Sequence, residues 1–315
     1  MSDSTSPHRS AFARANDAVH LLGLSFFLAV ALAAWAREAE SAGTAVLVYG
    51  GLLAATAALA GRAAKDPDLP PALRALHVAW PFLVLPGVFT GLRWLAPAVA
   101  PPDRRFDDEL AAWDLDWCGL DVARWSEGFL TAPLADFFMV FYALYFVMPV
   151  GVFAAYILRA RREALYRALF TVSAGLYSCY ALYLLVPVAG PRHDHVNRSA
   201  PLPRGWITGW THDFIRDLEP QPYDAFPSAH VVLGLLCAAL CWRFGGWIRW
   251  SVAVVGGLTA VSTVVLRYHY LVDDLAGLVV LATALGAAAF LERRAGRRTA
   301  SSHGDRMGEL LGGPP

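Results

Sequence analysis

Apolar runs approaching the roughly 20 residues needed to cross a bilayer recur along the chain, at 19–36, 44–60, 137–158, 168–189, 229–242, 250–266 and 271–291. A further run, 74–96, is interrupted by Pro81, Pro86 and Gly87, residues that membrane helices tolerate. In hydrocarbon, every backbone N–H and C=O must be satisfied within the protein, which restricts spanning segments to helices and closed barrels. Runs of this length predict helices. The expected fold is therefore all-α, a polytopic membrane bundle of about eight transmembrane helices. Composition agrees, with 57% hydrophobic and only 17% charged residues, the latter below the usual quarter of a soluble domain.

The runs suggest three regions. Residues 1–73 form a polar N-terminal tail, two added helices and a basic, Pro-containing linker. Residues 74–291 hold six spans, enough for a compact six-helix core. Residues 292–315 read as a basic tail without fixed structure. The Arg159–Arg167 connector and the Arg293–Arg298 tail vote for a cytoplasmic location under the positive-inside rule. This predicts a multi-pass protein of the cell membrane with loops 97–136 and 190–227 on the extracytoplasmic side. Ala34-Trp35-Ala36 resembles a signal-peptide cleavage site, but the run before it exceeds the usual 7–15 residue apolar region. A formal net charge of zero gives no electrostatic reason to expect a nucleic acid partner. Cys118, Cys179, Cys237 and Cys241 form no CxxC pair, so neither a zinc site nor a disulfide framework is expected. Phe106–Phe129 interleaves acids with Trp113, Leu115, Trp117 and Leu120; this reads as an amphipathic segment at the outer interface that packs rather than catalyses.

Chemistry is concentrated at the predicted outer rim. His269 and Asp273 stand four apart, one turn on a helix, so the carboxylate is expected to fix the imidazole's tautomer and raise its basicity. Taken alone, such a pair more often ties helices together. Pro227-Ser228 begins a run that holds His230; Ser228 suits a helix N-cap, whose outward N–H groups favour anions. Arg192, after Gly190-Pro191, and Arg267 supply guanidinium groups able to grip phosphate, although charges near the boundary also snorkel. His193, Asp194, His195, His212 and Asp213 crowd one loop, but no metal-ligand spacing organises them.

In order, Gly190-Pro191-Arg192, Pro227-Ser228-x-His230 and Arg267-x-His269-Tyr270-x-x-Asp273-x-x-x-Gly277 resemble the three signature blocks of the type 2 phosphatidic acid phosphatase superfamily. They most resemble its inositol phosphorylceramide synthase-like branch. The resemblance covers roughly 74–291 and implies a lipid phosphatase or phosphotransferase needing no metal or other cofactor. Its substrate would be a lipid phosphate or phospholipid in the bilayer, with water or an alcohol as acceptor, for instance in phosphoinositol transfer. It implies His269 as a nucleophile forming a phosphohistidine, Asp273 as its orienting carboxylate and His230 as the acid. Ser228, Arg192 and Arg267 would bind phosphate. The chain departs from the phosphatase pattern at Leu185, where a Lys is usual, and at Ser262-Thr263, where the pattern has Ser-Arg. Arg267, one helical turn beyond Thr263, is expected to replace that charge. The rival readings are a proton-coupled transporter, whose charges would sit near the midplane, a metal-dependent membrane hydrolase, and a non-enzymatic scaffold that would leave the converging polar residues unexplained.

Overall fold

A computed structural model describes residues 10–66, 69–100, 105–119, 121–193, 202–218 and 223–311. They form helices α1 (Ala11–Trp35), α2 (Ala42–Lys65), α3 (Pro71–Ala79), α4 (Pro81–Val99), α5 (Asp107–Cys118), α6 (Val122–Trp125), α7 (Ala132–Arg159), α8 (Arg162–Leu185), α9 (Trp206–Leu218), α10 (Ala229–Cys241), α11 (Gly246–Val265) and α12 (Leu271–Leu311). Seven helices among the described residues are long and apolar enough to cross a membrane, α12 through Ala295. An eighth apolar helix, Ala229–Phe244, is shorter; at 1.5 Å per residue it spans only about 24 Å. The all-α, multi-pass architecture expected from the sequence is present.

Helix α8 lies at the centre. It packs against α1, α4, α10 and α12, while α7 packs against α10 and α11. The main core joins Phe27, Tyr49, Leu92, Leu169, Tyr177, Leu236 and their neighbours across these helices. Where α10 crosses α11, a Cβ placed on Gly256 would lie 2.5 Å from the Gly234 carbonyl oxygen, so the two backbones touch through hydrogen alone. Small residues permit such close approach in membrane bundles, where packing rather than water exclusion drives association.

Three boundaries differ from the sequence expectation. The run 74–96 is two helices, because Pro81 lacks the N–H that would continue α3 and instead starts α4; Trp80 at the junction donates its indole N–H to Thr56 at 2.9 Å. The spanning segment is accordingly 81–99. The first helix begins at Ala11, ahead of the apolar run, with the Ser10 side chain accepting from the Ala13 N–H at 3.0 Å. Its polar first turns are buried: Asp17 accepts from His77 at 2.8 Å, His77 bonds Tyr166 at 3.0 Å, and His20 bonds Tyr177 and Ser173, each at 3.2 Å. The last helix continues beyond Leu291 to Leu311.

The two ends of the bundle differ. Arg161, Arg162, Arg167 and Arg243 gather at one end. Exposed Trp242, Trp247 and Trp250 stand at that end too; the other carries its own aromatic girdle, including exposed Trp113 and Trp117, stacked at 5.3 Å, and exposed Trp206, Trp210 and Phe214 on α9. Aromatic rings of this kind suit the membrane–water interface.

The glycine crossing yields a test. Gly256→Val must displace backbone and is expected to lower stability by about 1–3 kcal/mol, read by thermal unfolding in detergent. Gly257→Val, with open space around its Cβ position, is the matched control and should unfold near the wild-type temperature.

Candidate active site

The three motif segments meet at the girdle end. Helix α11 stops at Val265 in a Schellman arrangement: the Arg267 N–H donates to the Val264 carbonyl at 3.0 Å and the Tyr268 N–H to the Thr263 carbonyl at 2.8 Å. Arg267 takes the left-handed conformation, φ 62°, where Gly is usual. The chain then turns through His269 into α12, whose first N–H groups, those of Leu271 and Val272, donate to Asp114 at 2.8 Å each. Asp273 closes the same turn by accepting from the Tyr270 N–H at 2.8 Å. His269 and Asp273 are therefore spaced across a helix start, not along a helix face.

This geometry determines the tautomer of His269. Its Nδ1 lies 2.8 Å from the Ala225 carbonyl oxygen, an acceptor only, so Nδ1 carries the proton and Nε2 keeps its lone pair. The Asp273 carboxylate is 3.5 Å from Nδ1, farther than the carbonyl expected from no motif. Nε2 faces His230 Nδ1 at 3.3 Å. Burial holds the His269 pKa below its usual value, with Asp274 and Asp224 opposing, which favours the neutral, nucleophilic form near pH 7. Asp224 is itself pushed up to about 6 by burial, against the attraction of His269 and Arg192.

Second-block residues sit directly opposite. Ser228 caps α10, its hydroxyl accepting from the Val231 N–H at 3.4 Å, and its own N–H donates to the Asp273 carbonyl at 3.0 Å. The starts of α10 and α12 are thus tied together. His230, one residue inside α10, is buried, and its Nε2 has no hydrogen-bond partner among the described residues. Tyr142 stacks on the His230 ring at 4.4 Å and on Tyr268 at 4.1 Å; the Arg192 guanidinium lies 4.0 Å over the outer face of Tyr268. A continuous stack, Arg192, Tyr268, Tyr142, His230, holds a fixed cation and an imidazole along one wall.

Arg192 arrives there because its loop is clamped. Asp107 accepts from the N–H groups of Ala189 and Gly190, the latter at 2.9 Å, and Val188 bridges to the segment holding Asp224 through the Ala225 N–H, 3.0 Å from the Val188 carbonyl. Gly190 has φ 86°, and a Cβ there would fall 2.2 Å from the Tyr268 carbonyl oxygen, so no other residue fits.

Beneath this polar head lies a cavity of about 360 Å³, within the range of ligand pockets. Arg192, Asp224, His230 and His269 line one end; Phe82, Phe89, Pro149, Phe153 and Leu169 line its depth. Asp273, Ser228 and Arg267 stand behind the wall rather than on it. Arg267 is not one helical turn beyond Thr263 on a common face, as expected, because α11 has ended; its guanidinium lies 3.4 Å from Glu127. Thr263 instead donates to Asp274 at 2.9 Å. Leu185 is 65% exposed, directed away from the cavity. Asp194 and His195, and the side chains of His193, His212 and Asp213, lie outside the described residues.

A family model described as the PAP2 superfamily matches residues 108–287, which is more than half of the 315 residues and includes all three motif segments. No curated protein and no solved structure matches the chain.

Asp107 provides the test of this architecture. Asp107→Ala leaves two buried N–H groups without acceptors, each worth about 1–3 kcal/mol, and frees the loop that sets Arg192. Activity toward a phosphate ester is expected to fall about tenfold or more, whereas Asp108→Ala, at an exposed neighbour, should leave it near wild type.

Proposed function

The chain belongs to the PAP2 superfamily, and on that premise we propose that it is an integral membrane lipid phosphatase or phosphotransferase working through a phosphohistidine. The observation that carries this reading is the His269–His230 pair, 3.3 Å apart, at the head of an apolar cavity. His269 Nε2 attacks phosphorus; the P–N bond forms as the P–O bond to the lipid breaks. The departing oxygen takes a proton from His230, and Arg192 balances phosphate charge. Positive charge developing on the His269 ring is stabilised by the Ala225 carbonyl and the nearby Asp273 carboxylate. Water or an alcohol, giving its proton back to His230, then attacks phosphorus and the P–N bond breaks, regenerating both histidines. Ser228 and Arg267 contribute by fixing the helix start and the turn that present the two histidines.

Two features support the transferase side, in the manner of the inositol phosphorylceramide synthase-like branch. Thr263 and Leu185 bring no charge to the cavity, so the cradle is less cationic than the phosphatase pattern provides. With the Arg-rich end cytoplasmic, the site faces the extracytoplasmic side, away from cytosolic ATP. A lipid already carrying phosphate is then the natural donor.

Purified protein incubated with lipid phosphates and phospholipids, with and without inositol, and analysed by mass spectrometry separates the two outcomes: free phosphate marks hydrolysis, a new headgroup marks transfer. His269→Ala is expected to abolish both. His230→Ala should slow turnover by about 10²–10⁴, and substrates with good leaving groups should rescue it preferentially; equal rescue of both variants argues against the assigned roles. Turnover should persist in EDTA. Activity lost to the chelator and restored by zinc or magnesium would overturn metal independence.

The pH dependence has a definite sign. Only neutral His269 attacks, and burial lowers its pKa, so kcat/KM should fall on the acid side with a midpoint below 6.5; because His230 must carry a proton to donate, the profile should also fall on the alkaline side and be bell-shaped. An acid limb centred above that value would contradict the assignment.

A further inference from the structure

Below the catalytic cavity the packing opens again. A second, larger space of about 780 Å³ lies at the Arg-rich end, bordered by Pro71, Arg74 and Val78 of α3, Ala154 and Ile157 of α7, and Leu165 of α8. Phe82, Val150 and Phe153 line both spaces. The rings of Phe82 on α4 and Phe153 on α7 meet edge to face at 4.9 Å, so this aromatic pair, with Val150, forms the boundary the two spaces share. The pair sits beside the α3–α4 junction, where the backbone is already interrupted at Pro81.

Resting on the lipid phosphotransfer reading, we propose that this groove receives the far end of the substrate's hydrocarbon chain, and that Phe82 and Phe153 form the partition through which a long chain passes. The argument is one of continuity and length. Tyr142 marks the level of the histidines through its stack on His230, and Ile157 marks the groove; fifteen residues of α7 separate them, about 23 Å along the helix. Half of the bilayer's hydrocarbon core is only about 15 Å. A chain anchored at His269 and ending in the groove is therefore longer than one leaflet is deep. The cavity's modest volume suits a single chain, whereas the paired tails of an ordinary diacyl lipid end near the midplane. Saturated and isoprenoid chains share this chemistry.

The test uses the full-length protein and two homologous series of single-chain phosphates, n-alkyl and polyprenyl, each with a photoreactive group at the chain end. Cross-links located by mass spectrometry should lie in the catalytic cavity for short chains and reach Ala154, Ile157 or Leu165 for the longest. Phe82→Ala and Phe153→Ala should improve turnover of the longest chains relative to the shortest, by about tenfold. Ala154→Trp, which fills the groove, should penalise only the longest. The better series identifies the chain type. Cross-links that never pass the phenylalanine pair, or a length profile identical in all variants, would overturn the proposal. Groove cross-links without release or transfer of phosphate would uphold the chain site and sink the phosphotransfer reading instead.

Discussion

The hydrogen bond from His269 Nδ1 to the Ala225 carbonyl, 2.8 Å long, joins the turn before α12 to the segment before α10. Around this bond the remaining restraints fall into place: the Ser228 N–H on the Asp273 carbonyl, the Val188 bridge and the Asp114 clamp on the start of α12. A carbonyl is a fixed, permanently acceptor group. Using it in place of a carboxylate sets the tautomer without depending on any side chain's protonation state, and leaves Asp273 to close the helix start by accepting from the Tyr270 N–H.

The aromatic wall solves a different problem. A guanidinium beside hydrocarbon is costly unless paired or covered, and a neutral histidine 3.3 Å from another must be held in a single orientation. Stacking Arg192, Tyr268, Tyr142 and His230 does both, because ring faces attract the cation and flat neighbours restrict rotation of the imidazole. The polar head thus stays ordered above a cavity lined at depth mainly by apolar side chains, among them Phe82, Phe153 and Leu169.

How much of this was readable beforehand follows from range. Spans were legible because twenty apolar residues in succession need no knowledge of partners. The histidines, Ser228 as a cap and Arg192 were legible because their motifs are local and chemically distinctive. Arg267 was misplaced, since nothing in Val264-Val265-Leu266 announces that α11 ends there; a Gly usually does. Asp107 and Asp114 passed for surface acids of an interfacial helix. Their signal was present: with Leu110 between them they recur at i, i+3 and i+7, one buried face, and two acids on an apolar face require partners. Ala225 had no signal at all, because a backbone carbonyl acts regardless of its side chain.

The buried polar ladder of Asp17, His77, Tyr166, His20, Ser173 and Tyr177 bears on how such a chain could have been assembled. The residues matched to the family begin at 108, well after α1 and α3, so those helices invite description as an appendage. Yet Ser173, Tyr166 and Tyr177 belong to α8, the central helix of the matched region. Stripped of α1 and α3, α8 would present a hydroxyl and two phenols to lipid in place of their partners. Loss of the first helix would therefore have to be accompanied by apolar replacements along α8.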